Sequence, residues 1–167
     1  IEHFNVDEPS FAMESMSYPR YRVLPEGYGV SQVAVYTDAT TARLGREPDA
    51  PTARRVYASA NLFPVLGVHV ARGRVYGADE DRMGAGARVV VLSHAFWRRH
   101  FNEDPQIVGR SISLGSSPFT VIGIAAPAFT GLELQPTDLW APLGAMPAPS
   151  PREPRWWETD RGNYLGA

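Results

Sequence analysis

Cysteine is missing altogether from the sequence, which excludes disulfides and thiolate metal sites and is compatible with an oxidising compartment. Long apolar runs are missing too: no stretch approaches the ~18 to 20 residues needed to cross a bilayer. Positive charge is in no excess. Lys and Arg number 16 against 18 Asp and Glu, a net charge of −2, so the clustered cations of a phosphate footprint are lacking and nucleic acid is not an expected partner.

Patterns that carry chemistry are equally scarce. No G-x-G-x-x-G or Walker loop is present to cradle a nucleotide, and no G-x-S-x-G elbow to present a nucleophile. Ser93 and His94 are adjacent, but neighbours at a helix start point about 100° apart and are poorly placed to share a proton. The histidines, His3, His69, His94 and His100, form no i, i+3 or i, i+4 pair that would grip a metal from one helix face. Asp79, Glu80 and Asp81 make the one acidic cluster. It lacks the alternating oxygen spacing and distal Glu of a calcium loop, so it reads as a solvated loop that caps a helical turn. No catalytic, cofactor-binding or metal residue is assigned, and a glycosidase pair of carboxylates cannot be named.

What is present is a well-punctuated globular chain. Over 167 residues, 44% are hydrophobic and 20% charged, enough to bury a core. The clearest organisation lies in residues 88 to 127. Val89, Val90, Val91 and Leu92 form a short β-branched run expected to be a strand covered on both faces. Ser93 is placed to cap a helix over residues 94 to 102, with Trp97 and Phe101, four apart, sharing its buried face and Arg98 and Arg99 near its C-terminal end. Pro105 bars continuation, Gly109 breaks the chain, and residues 111 to 114 alternate as a strand does. After a turn over residues 115 to 118, residues 119 to 125 return as its antiparallel partner.

Upstream, Ser17 caps a short helix with Pro19 in its first turn, stopped near Leu24 by Pro25 and Gly27. Residues 33 to 44 are strand-like, residues 45 to 51 are a turn, and residues 52 to 59 return as a second strand with Arg54 and Arg55 outward. Asn61 is placed to cap a turn of helix closed by Gly67. Downstream, residues 138 to 143 form a last strand with Trp140 inward. The fold class is α+β, with mixed β-sheets and short helices.

Asn61-Leu62-Phe63, Val65-Leu66-Gly67-Val68, Gly73-Arg74, Asp79-Glu80-Asp81, Val90-Val91-Leu92-Ser93, Trp97, Asp104-Pro105 to Gly109-Arg110 and Val121-Ile122-Gly123-Ile124 follow one another in order. In that order they resemble the MacB-like periplasmic core domain of ABC transporter permeases, and most of all the orphan, duplicated permease branch of acidobacteria and their relatives. The resemblance runs from about Ser17 to Leu143. It implies a βαβ-like lobe plus a smaller mixed lobe, this chain being a fragment of a two-lobed extracytoplasmic domain. It implies a non-catalytic role without cofactors, in which movement of transmembrane helices is relayed to an extracytoplasmic substrate or partner. The implied partners are the flanking transmembrane helices of the parent chain, a cytoplasmic ATPase subunit and a second permease copy. The implied location is the cell membrane, with this domain on the periplasmic or extracellular side.

The expected organisation is a flexible entry segment, 1 to 16, the core domain, 17 to 144, a Pro-rich linker, 145 to 155, and the start of a truncated return segment, 156 to 167. Residues 45 to 51 and 145 to 154 are the hinge candidates. An alternative function, an extracellular ligand- or glycan-binding module, rests on Trp140, Trp156 and Trp157, whose rings could stack on a sugar.

Overall fold

The computed structural model describes residues 16–28, 32–148, 155–158 and 165. The rest of the expected entry segment, most of the Pro-rich linker and most of the return segment lie outside the described residues. Strands β1 (Thr40–Arg43), β2 (Thr52–Ala58), β3 (Val70–Gly73), β4 (Val89–Leu92), β5 (Ser111–Leu114), β6 (Ser117–Ala125) and β7 (Leu139–Pro142) join in one mixed seven-stranded sheet. Helices α1 (Tyr18–Tyr28), α2 (Leu62–Val65) and α3 (His94–Phe101) are short, and the architecture is α+β, as expected.

The sheet order is β1-β2-β7-β4-β6-β3, with β5 also paired to β6. β4 is central, antiparallel to β7 and parallel to β6, which fits its run of three fully buried residues. Because β4 and β6 are parallel, the chain must cross over between them, and α3 and β5 are that crossover. At one corner Leu44 bridges Leu114, the Gly45 N–H donates to the Ser113 carbonyl at 2.9 Å, and the Gly115 N–H donates to the Arg43 carbonyl at 2.8 Å. The end of β1 is thereby tied to the end of β5, and the sheet curls until its two margins touch.

Period-two alternation divides the core between the two faces. Val90 and Leu92 of β4, with Leu139 and Ala141 of β7, pack with Phe96 and Trp97 of α3, while Val91 and Trp140 pack on the other face with Leu62 and Phe63 of α2. A β-bulge keeps β6 in step: its register against β4 shifts between Val90 and Val91, so that Val121 and Ile124 both face the α3 side.

Local signals explain most boundaries. The Ser93 hydroxyl accepts from the Phe96 N–H at 3.1 Å, with Ser93 extended at φ −69°, ψ 151°, so the expected N-cap forms. Trp97 is buried as expected, but its partner on the helix is Phe96, fully buried, rather than the half-buried Phe101. Phe101 still packs against the cluster that holds Trp97. Gly67, at φ +62°, closes α2: its N–H donates to the Pro64 carbonyl and that of Val68 to the Phe63 carbonyl, the two bonds of a Schellman ending. Asn61 does not cap α2 with its side chain; its amide donates to the Val33 carbonyl and its oxygen accepts from Ser59. The hairpin turn is tighter than expected, Gly115 and Ser116 alone, with Gly115 at φ +61°.

Further differences from the sequence expectation lie upstream. α1 does not stop near Leu24 but continues to Tyr28, across Pro25, because Tyr18 and Tyr21 pack on the main core and tertiary contact overrides the proline signal. Of residues 33 to 44, only β1 is regular strand; Thr37 interrupts the ladder, its side-chain oxygen accepting the Tyr57 N–H at 3.2 Å. Arg54 and Arg55 are half-buried rather than outward, Arg54 bonded to Glu133 and Gln135, and Arg55 lying 4.6 Å over the Tyr57 ring.

Candidate functional site

The tryptophans expected to form a ligand platform do not come together. Trp140 and Trp156 are each 1% exposed and belong to clusters on opposite faces of the sheet. Trp140 stacks on Phe129 at 4.9 Å and meets Phe63 edge-on at 5.7 Å. Trp156 meets Tyr18 edge-on at 6.3 Å, and Trp157, half-buried, lies edge-on to Trp156 at 6.1 Å. Trp140 and Trp156, covered by protein, cannot stack on a sugar, so the glycan-binding alternative keeps only the half-buried Trp157 of its three rings.

The Ser93 and His94 pair also divides. Ser93 is buried and its hydroxyl is the helix cap, while the His94 ring lies edge-on to Trp97 at 5.3 Å. His100 packs on Phe96 at 4.7 Å, and its Nε2 accepts from Arg99 Nε at 3.1 Å; burial first, then Arg99, pushes its pKa down. Ser93→Ala is expected to cost about 1 kcal/mol through the lost cap and to remove no hydrolytic activity, which urea denaturation and a serine-reactive probe would measure together.

The acidic triplet separates into three jobs. Asp79 pairs with Arg82 at the surface. Glu80 accepts from both terminal nitrogens of the Arg74 guanidinium, at 2.6 and 2.8 Å, and from the Gly77 N–H at 3.1 Å; the Arg74 hydrogen bond leads in holding its carboxyl below the usual range. Asp81 accepts the Ala60 N–H at 2.9 Å and the Gly144 N–H at 2.8 Å. Burial raises its pKa, and backbone donors from Gly144, Ala60 and Leu143 partly offset that. Among the described residues no three acidic, His or Cys side chains converge as metal ligands.

Asp81 therefore works as a knot. From its own loop it binds the turn after β2 and the 3-10 turn Leu143–Ala145 that follows β7. The joint is close-packed: a Cβ on Gly144 would lie 2.4 Å from the Arg82 carbonyl oxygen, and one on Gly86 2.1 Å from the Gly144 carbonyl carbon. Burial here also pushes the Tyr76 hydroxyl well up, with Asp81 adding to it, while that hydroxyl donates to the Ala58 carbonyl at 3.2 Å. Asp81→Ala leaves several N–H donors without an acceptor and is expected to cost about 2 kcal/mol, read as a lower urea midpoint. Asp81→Asn, which keeps one acceptor oxygen, is expected to cost less. Sequence reasoning missed this role, although a carboxylate followed by Gly84 and Gly86 is a signal for capture of nearby backbone N–H groups.

A second joint lies near the two ends of the described chain. The Met16 N–H donates to the Leu165 carbonyl at 2.8 Å and the Leu165 N–H to the Met16 carbonyl at 3.2 Å, an antiparallel bridge. Both side chains are buried in the α3-side core beside Trp156. No local pattern in the sequence announces a pairing across that separation. Of the two hinge candidates, residues 45 to 51 are fastened: the Leu44 N–H donates to the Pro51 carbonyl at 2.6 Å, and Gly45 is bonded to Ser113.

Residues 4–163 match the model of a family described as the MacB-like periplasmic core domain. The macrolide export ATP-binding/permease protein MacB of Nitrosomonas europaea is 40% identical over 74 residues, 42% of this chain and 11% of that protein. The probable export ATP-binding/permease protein MacB of Pseudomonas entomophila is 38% identical over 68 residues, 41% of this chain and 10% of that protein. The chain thus spans about a tenth of the length of these curated relatives. Among solved structures, the periplasmic region of MacB from Actinobacillus actinomycetemcomitans aligns with a TM-score of 0.61 at 18% identity, covering 83% of this chain and 59% of that one. The extracellular domain of the noncanonic ABC-type transporter YknZ from Gram-positive bacteria gives 0.61 at 16%, covering 77% and 63%. At these identities the structural likeness is one of fold.

Proposed function

The chain belongs to the MacB-like periplasmic core domain family, and from that premise we propose that it is the non-catalytic extracytoplasmic domain of a membrane-embedded ABC-type permease. It couples movement of the parent's transmembrane helices to an extracytoplasmic substrate or partner. The observation that carries this reading is the family match over residues 4–163. The engagement of Ser93, Glu80 and Asp81 in caps, ion pairs and backbone capture supports it, because side chains so occupied serve shape rather than turnover. The flanking transmembrane helices, a cytoplasmic ATPase subunit and a second permease copy are its proposed partners. The proposed location is the cell membrane, with the domain on its outer side. The 17 to 144 core, with residues 145 to 155 as a spacer, is the proposed division of the chain.

Absence of cysteine makes the test direct. A single cysteine at the exposed Ala71 of the full-length parent, otherwise stripped of cysteine, is expected to react with a membrane-impermeant maleimide in intact cells. Reaction only after permeabilisation would overturn the proposal.

A further inference from the structure

If the domain couples membrane helices to an outer partner, the premise on which this inference rests, the bridge between Met16 and Leu165 bears on how movement passes through it. The two residues exchange both of their N–H···O bonds, and they are only 3% and 1% exposed. Met16 stands two residues before α1, and Tyr18, the first residue of α1, packs edge-on against Trp156 of the 3-10 turn Trp156–Glu158. Separating the segments would break two hydrogen bonds and expose three buried apolar side chains in one step.

From this we infer that Met16, Leu165, Tyr18 and Trp156 form a permanent clasp, which stays closed throughout the working cycle and makes these four residues one body with the sheet. Movement is then conveyed by rotation of that body, not by parting of its two segments. The fastened turn over residues 45 to 51 agrees, since it is bonded at its base to Pro51 and Ser113 and offers no free swivel.

An antiparallel pair that exchanges both bonds holds its Cα atoms about 5.5 Å apart, within the range a disulfide spans. A Met16→Cys/Leu165→Cys parent, in native membranes and lacking other cysteines, is therefore expected to cross-link to the same extent, within about twofold, with and without ATP plus vanadate. In a separate parent, the maleimide reactivity of Ala71→Cys reports whether the domain senses nucleotide at all. Cross-linking in one state only would overturn the clasp while leaving coupling intact. Equal cross-linking with a reporter that ignores nucleotide would remove the coupling reading instead and keep the clasp. If the double variant fails to fold, amide exchange of the wild-type parent decides: protection of peptides holding Met16 and Leu165 in both states supports the clasp, and loss in either overturns it.

Discussion

Gly73→Ala is expected to destabilise the domain by about 3 kcal/mol or more, a large share of the ~5 to 15 kcal/mol that holds a typical domain together, read as a steep fall in the urea midpoint. Gly73 sits at φ +71°, a conformation that L side chains rarely adopt, and its Cβ would lie 2.2 Å from the Ile122 carbonyl oxygen and 3.0 Å from Gly123 Cα. The obstructing atoms are backbone, so no rotamer change relieves the contact. Gly123 directly opposes Gly73 in the β3–β6 ladder, and its own Cβ would lie 2.2 Å from the Arg74 carbonyl oxygen. The pair sits at the β6 bulge, where the strand changes phase and each side chain is handed to its proper face. Gly123→Ala is accordingly expected to behave alike.

Gly77→Ala is the control. It has nothing within 4 Å of its Cβ and no positive φ, so a change of no more than about 1 kcal/mol is expected, on the stabilising side. Urea midpoints of the variants make the comparison. A Gly73→Ala protein with the wild-type midpoint would show that the β3–β6 approach is not as close as described.

The bulge also shows where sequence reasoning reaches its limit. Strand β4, the Ser93 cap, the Gly67 ending and the two strands of the β5–β6 hairpin are readable because each rests on residues within a few positions of one another. Val121-Ile122-Gly123 announces a strand but not a change of phase within it, since the shift is defined only against β4. Likewise Asp81 is visible as an acid in a glycine-rich loop, whereas the N–H groups it accepts from, those of Ala60 and Gly144, come from distant turns. Trp156 looks exposed because its neighbours in sequence are charged; Tyr18, which covers it, stands near the other end of the chain. Pro25 reads as a stop because its local cost is known, while the packing of Tyr18 and Tyr21 that outweighs it is not local.

Trp140→Ala is expected to cost about 3 to 5 kcal/mol, the range for emptying a buried aromatic site. Trp140 lies in β7, between β2 and β4, so its backbone is held by pairing on both sides and cannot shift to fill the space. Its ring is stacked on Phe129 and edge-on to Phe63, joining the loop after β6 to α2. Phe63 in turn meets Tyr76 edge-on at 6.1 Å, so one truncation loosens the whole aromatic cluster over that face. Trp140→Phe retains most of the volume and a stacking face and should lose less than half as much. Trp157→Ala, at a half-buried ring that packs over Gly84, should lose about 1 kcal/mol. The ordering separates the two roles open to these tryptophans. A platform for sugar would leave stability nearly unchanged in Trp140→Ala and abolish binding to a glycan panel, whereas a core wedge lowers the urea midpoint steeply with no binding to lose. A Trp140→Ala midpoint within error of wild type would therefore return the aromatic cluster to the surface and reopen its use as a recognition site.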